Sequence, residues 1–171
     1  MKVAVVAGNP KPHSRTLHAA ELVVEALTGA APDTVVDVIA LGDGLLGWGS
    51  EAVADAVAAV SNSDLVVVAS PTFKATYSGV LKLFLDQFAT GEGLRDVIAV
   101  PLMLGAAPFH AMAAELLLKP LLVELGAACP APGLFLLDGS YPTDGRIADY
   151  ADRWGALLRH SVPAPAGSEE P

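Results

Sequence analysis

The sequence predicts an α/β fold: a five-stranded parallel sheet in the order 2-1-3-4-5, covered by helices on both faces. Three observations lead there. Short Val- and Leu-rich runs such as KVAVVA and LVVVAS recur along the 171 residues. Segments with an apolar face at helical spacing alternate with them. The loops that follow the apolar runs are small and polar, and most contain Gly or Pro. Such alternation requires a parallel sheet sandwiched between helices. Right-handed crossovers then leave few strand orders, and this one has its switch point between strands 1 and 3.

The elements follow in order. Residues 2–7 are the first strand, ended by Gly8. Residues 15–28 are a helix whose apolar face is Leu17, Leu22, Val23, Ala26 and Leu27, with Gly29 and Pro32 to stop it. Residues 34–41 are the second strand. Residues 42–49 are loop, and 50–60 a helix with Ser50 as N-cap. Residues 64–70 form the third strand and 78–88 the third helix. The fourth strand is 96–104, with Pro101 disturbing its path. The fourth helix is 109–125, the fifth strand 129–137, and the last helix 143–159. One domain over 1–160 is expected. The tail 161–171, SVPAPAGSEEP, has no apolar pattern and is expected to be disordered.

Composition narrows the function. A net charge of −9 argues against nonspecific nucleic-acid binding. No apolar run is long enough for a membrane span, and the N-terminal run is too short for a secretory signal. The single cysteine, Cys129, excludes an internal disulfide. Together these place the protein in the cytoplasm. Cys129 reads as a buried, inert thiol.

Two segments could carry a ligand. Gly8 to Thr16, GNPKPHSRT, ends a strand and opens a helix, and a helix N-terminus attracts phosphate. Ser14 and Thr16 add hydroxyl donors there, and Lys11 or Arg15 could add charge. A plain turn capped by Ser14 is the alternative. Gly42-Asp43-Gly44-Leu45-Leu46-Gly47 spells G-x-G-x-x-G, but it follows the second strand and stops short of its helix. It therefore reads as a surface loop. The other segment is Ser70 to Phe88, where a buried strand turns through Pro71-Thr72-Phe73 into a new helix. Open α/β sheets place ligands in such loops. Lys82 and Asp86 read as a surface pair, and His110 as serving the start of helix 4.

GNPKPHSRT, SPTFKATYSGVLKLFLDQF and LGAAPFHAMAAELLLKPLLVELGA together resemble the NADPH-dependent FMN reductase family over residues 2–138. The nearest branch is the flavin reductase components of two-component alkanesulfonate monooxygenase systems. The resemblance implies a flavodoxin-like three-layer sandwich, FMN as cofactor or substrate, and NADPH or NADH as the donor. By position, Lys11, Ser14 and Thr16 would hold the FMN phosphate, with Asn9 and Arg15 in the same loop. Pro71, Thr72, Phe73 and Lys74 would border the isoalloxazine ring, with Ser78 closing that loop. Gly105 and Ala106 would lie against the ring. Asn9 and Lys11 stand where Ser and Arg are frequent, and Phe73 where Tyr is frequent. Leu116 takes the place of a tyrosine that the sulfonate-system reductases carry near the flavin and subunit interface.

The implied activity is hydride transfer from nicotinamide to flavin N5, which needs orientation more than acid or base groups. Backbone N–H groups of residues 72–75 are candidates for the ring's polar edge. Lys74 could instead meet nicotinamide phosphates or solvent. Reduced flavin would go to a partner monooxygenase or to a small acceptor. The alternatives are a flavodoxin-like electron carrier or a quinone- or azo-type reductase with tightly held FMN. Helix 4 is apolar nearly all round, which predicts a homodimer, and the resemblance adds a homotetramer. Pro120 should kink that helix or mark an irregularity in it.

Overall fold

The computed structural model describes residues 1–163. Its strands are β1 (Val3–Ala7), β2 (Thr34–Asp37), β3 (Leu65–Pro71), β4 (Ile98–Gly105) and β5 (Leu134–Leu137). They form one parallel sheet in the order β2-β1-β3-β4-β5, as expected. The helices are α1 (Arg15–Thr28), α2 (Glu51–Ser61), α3 (Gly79–Leu85), α4 (Lys119–Glu124) and α5 (Arg146–His160).

Why the strands read as unbroken apolar runs is visible in the two cores. Val3, Val5, Leu65 and Val67 pack with Leu17, Val23 and Leu27 of α1 and Leu158 of α5. Ala4, Val6, Val66 and Val68 pack on the opposite layer with Val53, Leu81, Phe84 and Leu122. Alternate residues feed opposite layers, so both phases must be apolar.

The first helix forms where its signals lie. The Ser14 side chain accepts from the Leu17 N–H, and Gly29 closes the other end at φ 75. Gly29 can adopt that left-handed conformation at little cost.

Three elements differ from expectation. The second strand stops at Asp37, and residues 38–46 run through tight 3-10 turns broken at Gly42. β2 lies at the sheet edge, with β1 as its only neighbour, so little holds it extended. The single helix expected over 109–125 is instead a 3-10 turn at Pro108–His110, a π-helical turn at Ala114–Leu118, and α4. Pro120 has no N–H for the Leu116 carbonyl, and the wide turn falls just before it. The backbone of Gly133 also passes this turn so closely that a β-carbon on it would lie 2.6 Å from the Ala114 carbonyl carbon. The fifth strand is only Leu134–Leu137, because Pro130 and Pro132 remove two donors ahead of it. Pro101 is accommodated for a related reason. It falls between the Ile98–Ala128 bridge and the Leu102–Leu134 pair, where β4 has no partner on that side.

Smaller shifts affect the ends of α3 and α5. Ser161 still bonds to Leu157, and Val162 packs against the α1–α5 layer. The expected tail therefore begins no earlier than Pro163, and residues 164–171 lie outside the described residues. Among the described residues no helix is long and apolar enough to cross a membrane.

Candidate functional site

At the C-terminal edge of the sheet, the strand ends stand side by side. Ala7 pairs with Ala69, Pro71 with Leu104, and Gly105 with Leu137. The chain leaves β1 and β3 toward opposite layers, and the divergence opens a cleft of about 450 Å³. Ligand clefts typically enclose roughly 300–1,000 Å³.

The loop after β1 supplies one wall. Asn9 Oδ1 accepts the Lys11 N–H at 2.9 Å, and its Nδ2 donates to Thr16 Oγ1 at 2.9 Å. His13 takes φ 49 and gives its N–H to Asp37 Oδ2. These bonds bring Ser14 and Thr16 to the cleft at 4% and 2% exposure. Each hydroxyl accepts one hydrogen bond, and among the described residues neither finds an acceptor for its own proton. Next to them are the first-turn N–H groups of α1, which have no intrahelical acceptor. This is a donor set for an anion.

Two cations flank it unequally. Lys11 is exposed and lies in no ion pair among the described residues. Arg15 reaches across to the end of β5. Its Nη1 donates to the Asp138 carbonyl at 3.0 Å, and its Nη2 lies 3.3 Å from Asp138 Oδ2.

The loop after β3 forms the second wall. Pro71, Thr72 and Phe73 line the cleft, and Thr72 Oγ1 is buried with no hydrogen-bond partner. Phe73 and Thr76 exchange N–H bonds around Lys74 and Ala75, at φ 52 and 71. Two consecutive positive φ angles make a type I′ turn, which ordinarily uses Asn-Gly. The expected offer of N–H groups from residues 72–75 is therefore halved. Thr72 N–H is spent on Leu104, and Phe73 N–H on Thr76.

Gly105 and Ala106 after β4 form the third wall. A β-carbon on Gly105 would come within 2.7 Å of the Phe135 ring.

Two expected contacts lie elsewhere. Ser78 does not line the cleft. Its hydroxyl donates to the Gly8 carbonyl and accepts from Leu81, while its N–H donates to Ser70 Oγ. Ser78 thereby ties β1, β3 and α3 together. Gly8 must be glycine for that junction, since a β-carbon would meet the Leu81 backbone at 2.7 Å. Lys74, at the tip of its turn, also stays outside the lining. The other ten expected residues do line the cleft: Asn9, Lys11, Ser14, Arg15, Thr16, Pro71, Thr72, Phe73, Gly105 and Ala106.

Sequence reasoning missed Asp138. Its signal was available, since it directly follows the apolar run LFLL at a strand end. His110 belongs to a neighbouring apolar groove of about 380 Å³, with Phe109, Met112 and Leu116. The G-x-G-x-x-G segment stays away from the main cleft. Leu45, Leu46 and Gly47 line a small recess with Leu83 and Gln87.

Among the described residues, the groups with a clearly shifted pKa lie outside the cleft lining. Burial pushes the Cys129 thiol up to about 11, and also raises Tyr150. Burial raises Tyr141, with Arg15 pulling the other way. Burial alone would raise Glu115, but the Gly133 N–H and Lys119 outweigh it and hold the carboxylate below its ordinary range. Among the described residues no His, Cys, Asp and Glu group has the makings of a metal site.

Comparison with known proteins agrees with this fold. Residues 1–141 match the family described as NADPH-dependent FMN reductase. An FMN reductase (NADPH) of Escherichia coli K12 is 30% identical over 187 residues, covering 96% of this chain and 94% of that one. An FMN reductase (NADPH) of Pseudomonas putida is 34% identical over 79 residues, covering 46% of this chain and 40% of that one. The apo crystal structure of an NADH:FMN oxidoreductase superposes with a TM-score of 0.84 at 25% identity, covering 99% of this chain and 94% of that one.

Proposed function

The chain belongs to the NADPH-dependent FMN reductase family, and we propose that it moves a hydride from NADPH to FMN seated in the cleft at the ends of β1, β3 and β4. The observation that carries this is the pair of buried hydroxyls on Ser14 and Thr16. They open on the cleft at the start of α1, with protons that find no acceptor among the described residues. A phosphate monoester fits that donor set.

Ser14, Thr16 and the first-turn N–H groups hold the phosphate, Lys11 adds charge, and Asn9 fixes the Thr16 rotamer. Pro71, Thr72 and Phe73 border the ring, where Thr72 Oγ1 finds the partner it lacks among the described residues. Gly105 and Ala106 bring backbone close from β4. Ser78 acts behind the cleft by fixing the loop, and Lys74 acts outside it, toward the nicotinamide phosphates. FMN supplies a hydride acceptor at its N5 when bound. The protein's part is to fix the ring and admit the nicotinamide to it, which calls for orientation and no side-chain acid or base.

Residues 1–160 work as one FMN-binding domain. The enzyme acts in the cytoplasm and passes reduced flavin to a flavin-dependent monooxygenase or spends it on a small acceptor. It works as a homodimer or homotetramer, joined through the apolar face around Phe109, Met112 and Leu116.

Anaerobic stopped-flow absorbance tests the reading. Protein with one equivalent of FMN is mixed with NADPH, and in parallel with NADH. The oxidised flavin band near ~450 nm should bleach far faster than for free FMN. Tight FMN binding without bleaching would reject the reductase in favour of an electron carrier.

A further inference from the structure

We propose that Asp138 sets how tightly this cleft holds a flavin phosphate, by competing with that phosphate for the guanidinium of Arg15. The inference rests on the flavin reading above. Arg15 is the first residue of α1 and borders Ser14 and Thr16, the donors of the anion site. Its guanidinium is already engaged twice by Asp138, at the backbone carbonyl and at Oδ2.

Asp138 is not a free surface acid. Its N–H is fixed to the Gly105 carbonyl at 3.0 Å, and it lines the same cleft. Beside it, Tyr141 shares a 2.7 Å hydrogen bond with His18 of α1. The start of α1 and the segment after β5 are thus one wall, and Arg15 and Asp138 cannot drift apart without breaking it.

A second carboxylate stands at the β2 end of the loop. Asp37 accepts the His13 N–H through Oδ2, and its Oδ1 is buried without a partner. A dianionic phosphate in the cleft therefore meets two cations, Lys11 and Arg15, and the Asp138 carboxylate, while Asp37 holds the loop from outside the cleft lining. One of the two cations is neutralised before the phosphate arrives. A loop built for permanent retention would leave Arg15 free. This one holds the phosphate by neutral donors and Lys11, so the flavin can leave after reduction. Asp138 is a positioning residue in this scheme, because it acts through Arg15.

The test is a titration of the full chain with FMN and, separately, with riboflavin, which lacks the phosphate. Asp138→Asn keeps the shape and the backbone bonds and removes the charge. It should tighten FMN roughly two- to fivefold at low salt, the range expected for one solvent-exposed charge pair. The gain should shrink between about 20 mM and 200 mM salt. Riboflavin affinity should stay the same. In an Arg15→Gln background the same substitution should lose its effect on FMN, as a coupled pair requires. Asp138→Ser provides the same comparison should the asparagine variant fail to fold.

Unchanged FMN affinity would overturn the proposal. So would an equal shift for both flavins, or a gain that persists in Arg15→Gln. Those outcomes leave the flavin site standing. A native chain that binds neither flavin would instead remove the site itself, and this inference with it.

Discussion

Thr16 is almost completely buried, yet among the described residues its hydroxyl proton finds no acceptor. Replacing it with valine keeps the shape and removes the donor. A hydrogen bond to a charged group contributes about 1.5–3 kcal/mol, so Thr16→Val should weaken FMN roughly 10- to 100-fold and leave riboflavin nearly untouched. Fluorescence titration with both flavins reads this out, and equal losses for the two would contradict a phosphate contact. At this scale the sequence was informative where chemistry is local. Ser14 and Thr16 follow a strand and open a helix, so their place was legible. Arg15 was not. Its position in the loop suggested the phosphate, and only the long-range pairing with Asp138, 123 residues away, shows where the guanidinium goes. Ser78 closes its loop as expected, but through the carbonyl of Gly8 at the end of another strand, a partner that local pattern does not show.

Elements with strong local signals formed as read: β1, α1 and β3 all sit where their patterns put them. The failures have both near and distant causes: Pro130 and Pro132 shorten β5 from directly ahead of it, while other deciding contacts are distant in sequence. The wide turn at Ala114–Leu118 depends on Gly133, whose N–H the Glu115 carboxylate accepts at 2.6 Å. Apolar periodicity cannot register that. The Lys74–Ala75 turn makes the opposite point, because its residues contradict its geometry. Both have positive φ and a side chain, a conformation that costs of order 1–2 kcal/mol per residue. The double substitution Lys74→Asn/Ala75→Gly supplies the residues such turns prefer. It should raise the thermal midpoint by roughly 2–4 °C for each kcal/mol relieved in a chain of this size. Calorimetry measures it, and a lowered midpoint would mean that the turn is held by contacts of the native side chains.

Across the whole molecule, a chain whose residues are 53% hydrophobic leaves its exposed apolar side chains unevenly distributed. Phe109 is 87% exposed and Leu116 62%, with Met112 and Val123 also exposed nearby. Large contiguous patches of this kind mark association surfaces. Leu116→Lys should therefore shift the proposed dimer toward monomer in light scattering at micromolar concentration, while the far-ultraviolet spectrum stays the same. A native chain that is already monomeric there would remove the case for the interface. The parallel order was legible because alternation and handedness allow few others. How helix 4 presents its face was not, since that depends on the broken helix.

The pairing of β5 has a consequence for timing. This strand meets β4 through four register pairs, whereas β3 and β4 share seven. The wall that carries Asp138 therefore hangs on an edge seam no longer than that of β1 with β2. Backbone amides of Leu136 to Asp138 should exchange with deuterium well before those of Val66 to Ala69, because short edge segments open at lower free energy than central ones. Each such opening parts that segment from α1, where Arg15–Asp138 and His18–Tyr141 join the two, and so loosens one side of the cleft. Ligand departure can then proceed at the rate of a local breathing motion, without any larger unfolding of the sheet.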